Sequence, residues 1–176
     1  MLGGDLVGGY SLSEPQAGSD AAALACRAQK QGEHYRVTGT KAWITHGGRA
    51  DFYALFVRTG EGSRGISCLL APGQVDGLSF GRPEEKMGLH AVPTTTANWD
   101  GALLDADRLL GAEGQGLQIA FSALDSGRLR IAACATGLAR SGAGVPLRAL
   151  GHIGPRLLPS DQRKGTGAFP EGTEQR

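Results

Sequence analysis

Between about Ala21 and Leu110 the chain alternates short β-prone runs with turn signals, and this rhythm is its strongest constraint on fold. Tyr35–Thr38 alternates faces and reaches a predicted turn at Gly39, after which Lys41–Thr45 resumes as a strand. Asp51–Arg58, DFYALFVR, is longer and mostly apolar. Thr59–Gly65 is a polar, glycine-containing turn ahead of Ile66–Ala71. Gly77–Phe80, Lys86–Leu89 and Thr94–Trp99 complete the run of expected short strands. Such a pattern predicts a mainly β fold, a sandwich or barrel, and not βαβ units. The 29 glycines among 176 residues fit many turns and close backbone approaches.

The flanks read differently. Residues 1–20 form a glycine-rich, loop-like entry segment to a β-domain over residues 21–112. Leu117, Ala120, Phe121, Leu124, Ile131, Ala135 and Leu138 recur at helical spacing and predict one long helix within residues 113–140. Residues 141–176 carry Pro146, Pro155, Pro159 and Pro170 without sustained periodicity, and read as an irregular tail, disordered or frameshifted.

Net charge is +1, which gives no electrostatic case for nucleic acid or an anionic membrane. Cys26, Cys68 and Cys134 are odd in number and far apart. The histidines lack ligand spacing, so neither a disulfide framework nor a metal site is expected. No run approaches a membrane span, and the start lacks the charged and apolar regions of a signal peptide. A cytoplasmic location is the simplest expectation.

Two blocks carry possible chemistry. In Glu14–Asp20, EPQAGSD, Gly18 permits a tight turn whose amides can approach an anion, and Ser19 adds a hydroxyl. Asp20 can accept from the loop's amides or cap a following segment. An ordinary Pro/Gly turn explains the same residues equally well. In Lys41–Gly48, KAWITHGG, an indole beside a strand hydroxyl can wall a flat aromatic cofactor, although an isolated tryptophan in a strand is more often a core residue. There is no GxSxG elbow and no GxGxxG following a strand.

Taken together, SLSEPQAGSD and KAWITHG resemble the acyl-CoA dehydrogenase family. The resemblance continues through Gly65–Ser67, Gly77–Gly81, Glu85–Gly88 (EKMG), Arg108–Gly111 (RLLG) and Glu113–Gly116 (EGQG). It then takes in Leu124-Asp125, Arg128 and Ile131–Ala133, so the ordered blocks cover roughly Asp5 to Arg140. The fold it implies is the family's middle β-domain, followed by the first helix of its C-terminal helical domain.

The resemblance also implies roles. Tyr10 to Ser19 would hold FAD, with Ser13 near the flavin pyrimidine edge and Gly18 and Ser19 near the pyrophosphate. Trp43 would pack on the isoalloxazine, and Thr45 would hydrogen-bond near N5. Leu12 and Ile44 belong to the same cofactor-binding set. Ser19, Asp125 and Arg128 would contact the acyl-CoA, a task for which a guanidinium is chemically apt. Ser11 and His46 depart from the family's usual small residue and asparagine, and His46 reads as a satisfied loop histidine. Thr94–Asp100 departs mildly.

By family, the implied function is FAD-dependent α,β-dehydrogenation of acyl-CoA thioesters in fatty-acid or amino-acid catabolism. The implied partner is an electron-transferring flavoprotein, and the complete family forms homo-oligomers. Neither the family's N-terminal helical domain nor its catalytic glutamate is recognisable, and Glu171–Thr173 is too short a match to supply the base. The expectation is therefore an incomplete fragment, inactive alone if the base is missing. The alternative is a non-catalytic β-domain that binds flavin or a protein. An acyl-CoA oxidase would share the same fold logic.

Overall fold

A computed structural model describes residues 4–157, with side chains over residues 4–142. It is mainly β, with one mixed eight-stranded sheet and a single long helix. The strands are β1 (Gly8–Ser11), β2 (Arg27–Gln31), β3 (His34–Thr45), β4 (Phe52–Arg58), β5 (Ile66–Pro72), β6 (Leu78–Phe80), β7 (Thr94–Asp105) and β8 (Leu109–Leu110). Their order in the sheet is β6-β7-β3-β2-β4-β5-β8, and β1 pairs in parallel with β4.

Three local readings of the sequence are corrected. Gly39 makes no turn: it lies within β3, a single strand of 12 residues. A Cβ there would stand 2.6 Å from the Cys26 Cα, so the glycine permits close passage of two backbones, at φ +147°. Lys86–Leu89 is not a strand; it belongs to the irregular stretch between β6 and β7. Pro83 and Pro93 bracket that stretch without amide donors, and Leu89 takes a left-handed φ of +53°. Finally, the entry segment is not all loop. Gly8–Ser11 forms β1 because β4 satisfies its backbone, and Gly9 leaves room for the Tyr53 ring, 2.5 Å from where a Cβ would be.

β4 shows why the DFYALFVR run is so apolar. Tyr53, Leu55 and Val57 join the larger core with Tyr35, Val37, Ile44, Leu69 and Trp99. Phe56 faces a second cluster with Leu12, Leu24, Ile66, Cys68 and Ala120. A strand covered on both faces has no polar side to alternate with.

The helix, α1, spans Gly116–Leu157, so it runs on past Arg140, where the sequence pattern ends it. Pro146 and Pro155 lie within it, although an interior proline removes an intrahelical donor and crowds the preceding turn. The remaining residues, 158–176, with Pro159, Pro170 and Glu171–Thr173, lie outside the described residues. The chain divides after Asp125 into two units. Within the first, Leu117, Ala120 and Leu124 meet the second cluster, while Phe121 is exposed. In the second, Leu129, Ile131 and Leu138 are exposed. Among the described residues no helix is long and apolar enough to cross a membrane.

Candidate functional site

The two sequence blocks are joined by a buried ion pair. Lys41, in β3, is 0 % exposed and donates from Nζ to Glu14 Oε1 at 2.8 Å and to the Leu12 carbonyl at 3.0 Å. Glu14 is 1 % exposed. Its Oε1 also accepts the Cys26 amide at 2.9 Å, and its Oε2 accepts the Ala25 amide and Gln16 Nε2, both at 2.7 Å. Buried charges persist only where they are paired and hydrogen-bonded, and this pair is both.

Next to it β3 bulges. Lys41 pairs with Ala97 and Ile44 with Thr95, so Ala42 and Trp43 stand opposite Thr96 alone. The extra residue turns the Ala42 amide away from the ladder, to the Ser13 carbonyl at 2.9 Å. Trp43 takes up the distortion at φ +56°, and its side chain is 55 % exposed. A large aromatic residue held outward in a sparsely populated conformation is a marker of function. The chain then turns at His46, φ +57°, whose amide donates to the Pro93 carbonyl at 2.8 Å. Asparagine and histidine enter this left-handed region more readily than most residues, which explains how histidine serves there.

The tight turn of the first block sits earlier than the sequence reading puts it. Glu14 and Ala17 exchange amide-to-carbonyl bonds of 2.9 and 3.1 Å around Pro15-Gln16. Gly18 is exposed beyond that turn, outside the left-handed region, with nothing within 4 Å of an added Cβ. No intramolecular contact requires glycine there. Asp20 precedes the 3-10 turn Ala21–Ala23, and its side chain makes no capping bond.

Of the expected cofactor-binding positions, the structure ties Leu12 and Ser13 to β3 beside Trp43, through Lys41 and Ala42. Ser13 is half-buried, Ser19 and Thr45 are exposed, and Trp43 is bonded into place through its neighbour Ala42. Leu12 and Ile44 are core side chains, which leaves only their main chain for contact with a ligand. Tyr10 packs on Phe56, with ring centroids 5.0 Å apart, and donates its hydroxyl to the Ala120 carbonyl at 3.1 Å. Burial pushes the Tyr10 pKa up to about 12, which keeps that donor protonated. Asp125 and Arg128 lie one turn apart on α1, and both are exposed.

The EGQG block makes the entry to α1 by close approach. A Cβ on Gly114 would meet the Arg64 carbonyl oxygen at 2.4 Å, and one on Gly116 would meet the Ile66 carbonyl at 2.8 Å. The Gly114 amide donates to Ser67 Oγ at 3.0 Å, and Tyr35 donates to Glu113 at 2.5 Å.

The family description "Acyl-CoA dehydrogenase, middle domain" matches residues 9–101, which span both blocks, the bulge and the strands that hold them. The chain belongs to the acyl-CoA dehydrogenase family. It is 44% identical over 137 residues to the mitochondrial isobutyryl-CoA dehydrogenase of Dictyostelium discoideum, covering 77% of this chain and 33% of that one. The corresponding bovine enzyme is 42% identical over 133 residues, with 75% and 32% covered. Among solved structures, butyryl-CoA dehydrogenase from Megasphaera elsdenii superposes with a TM-score of 0.68 at 36% identity, covering 70% of this chain and 33% of that chain. The chain thus spans about a third of the length of these relatives.

Within this family frame, Glu14 and Lys41 are the residues that sequence reasoning missed. Both stand inside the quoted blocks, and the available signal was a lone charge in each of two uncharged stretches, Glu14 between Ser11 and Ser19 and Lys41 between Val37 and Thr45. The buried thiols offer no competing chemistry. Burial pushes the pKa values of Cys26 and Cys68 up to about 12, so both stay protonated and unreactive. Among the described residues no cluster of metal-ligating side chains occurs. Two open clefts, of about 480 and 420 Å³, lie beside β2 and around Val75, and Trp43 lines neither.

Proposed function

We propose that this chain forms the flavin-facing part of an acyl-CoA dehydrogenase, acting in FAD-dependent α,β-dehydrogenation of an acyl-CoA thioester. The observation that carries this reading is the weld at β3: the Lys41–Glu14 pair and the Ala42–Ser13 bond tie the Leu12–Glu14 segment to the strand beside Trp43, whose side chain is exposed and whose backbone takes a left-handed φ. The residues fit the group. Trp43 presents an aromatic face, Ser13, Ser19 and Thr45 supply hydroxyls, and Gly18 leaves its backbone open to a phosphate. FAD, when bound, supplies a two-electron acceptor.

The chain's own part is binding and orientation. Tyr10 to Ser19, with Leu12 contributing main chain, would hold the cofactor's pyrimidine edge and pyrophosphate. Trp43, Ile44 and Thr45 would form the wall behind its ring. Ser19, Asp125 and Arg128 would take the CoA moiety, the guanidinium by charge-assisted bonds to phosphate. Electrons would leave to an electron-transferring flavoprotein. No residue of this chain is assigned as the base that removes the α-proton.

FAD titration of the purified chain tests the reading, with the bound flavin followed by its visible circular dichroism. Trp43→Ala should weaken binding by about tenfold, or roughly 1.4 kcal/mol. Equal FAD affinity in Trp43→Ala and the parent, or none in either, would overturn it. Adding acyl-CoA separates an enzyme from a flavin-binding domain, since only dehydrogenation bleaches the flavin.

A further inference from the structure

We propose that the buried Lys41–Glu14 pair is a positioning device that sets the Leu12–Ala17 loop against Trp43, and so builds one wall of the flavin site. The inference rests on the flavin reading above. It begins from how the loop is held. The Leu12 carbonyl accepts Lys41 Nζ, the Ser13 carbonyl accepts the Ala42 amide, and the Glu14 carboxylate accepts Lys41, Gln16 and the amides of Ala25 and Cys26. These bonds fix three successive residues, while Gly18 and Ser19 beyond them remain exposed.

Stability alone does not call for this arrangement. Apolar side chains of similar volume often replace a buried ion pair without loss, because desolvation offsets most of the attraction. Burial accordingly pushes the Lys41 pKa below the ordinary lysine range, with the Glu14 carboxylate opposing it. What directional bonds add is geometry. They specify where the loop backbone stands relative to β3, at the bulge that turns Trp43 outward. Lys41 and Glu14 are positioning residues: their side chains are fully occupied inside the protein and have no surface to offer a ligand.

The double variant Glu14→Gln/Lys41→Met in the full chain tests this, because it leaves no charge unpaired and its single amide oxygen keeps an acceptor for only one of the two amides, Ala25 or Cys26, that bond the carboxylate. Two readouts are needed: amide hydrogen exchange, and FAD titration followed by visible circular dichroism. The expected result is exchange about tenfold faster at Leu12–Ala17 and Ala42, with β4 and β5 changed by less than about twofold. FAD affinity should fall by about tenfold with an altered flavin signal. Unchanged loop exchange and FAD binding would overturn the proposal. So would a uniform acceleration of loop and core, which would reduce the pair to a general stabiliser. Glu14→Gln alone, a milder change, is read by the same criteria should the double variant fold poorly. Selective loop loosening in a protein whose parent takes up no FAD would support the positioning of the loop and overturn the flavin reading.

Discussion

Two lysines hold two irregular segments of this protein, and they do so unequally. Lys41 is fully buried, and its ammonium meets a carboxylate that is itself saturated with hydrogen bonds. Lys86, half-buried, donates to the Val92 carbonyl and to Thr94 Oγ1 at 3.2 Å, with no carboxylate among these partners. The segment under Lys41 packs Leu12 and Ala17 into a core cluster. The segment containing Lys86 leaves Met87 and Leu89 exposed. Each contains proline, Pro15 in the first and Pro83 and Pro93 in the second, so proline does not separate them. The difference lies in whether the polar anchor is desolvated.

Breaking each anchor should measure that difference. Lys41→Met leaves the Glu14 carboxylate buried without its cation and should cost about 3–5 kcal/mol in urea unfolding. If the cost were under about 1 kcal/mol, the buried segment would not depend on its ion pair. Alkaline pH should strain the same region next. Cys26, beside Glu14, and Cys68 keep their protons up to about 12, against an ordinary thiol value of 9.0. A folded-state pKa above the unfolded value means stability that is complete below pH 9.0 and is lost as pH rises towards about 12. Cys68→Ala should flatten this alkaline decline in thermal melts; an unaltered slope would remove Cys68 as its source.

Paired glycine substitutions sharpen the contrast between a glycine the fold needs and one it does not. Gly39→Ala, pressed against Cys26, should cost about 1–3 kcal/mol. Gly18→Ala, with open space around it, should stay within about 0.5 kcal/mol of the parent while weakening FAD binding. A large stability loss at Gly18 would show that the fold, and not a ligand, requires it. Lys86→Met should cost about 1 kcal/mol, as expected for a partly solvated hydrogen-bonding group. Smallest of all, Met87→Ser on the exposed segment should change stability by no more than about 0.5 kcal/mol.

Much of the fold could be read along the chain. The apolar run at β4, the alternation through Tyr35–Thr38 and the periodic start of α1 all announce their elements, because burial pattern follows strand and helix period. What misled were residues whose meaning depends on a distant neighbour. Gly39 looks like a turn until Cys26 is seen beside it. Gly8 and Gly9 look like loop until β4 supplies partners. The β-prone Lys86–Leu89 run lacks a strand ladder, and the extension of α1 beyond Arg140 ignores the proline that appeared to end it.

The sequence by itself determined the family and the mainly β architecture, since ordered blocks such as SLSEPQAGSD and KAWITHG survive as local strings. The resemblance it carries also names Trp43, Ser13, Ser19 and Thr45 as one expected site. Only the tertiary structure decided how the segments that carry Ser13 and Trp43 are held together. Glu14 and Lys41 are 27 positions apart, and a buried charge is tolerable only once its partner has been brought to 2.8 Å. The bulge that turns Trp43 outward exists only in the register of β3 against β7. Both features depend on contacts between distant segments, which a local pattern of residues does not encode.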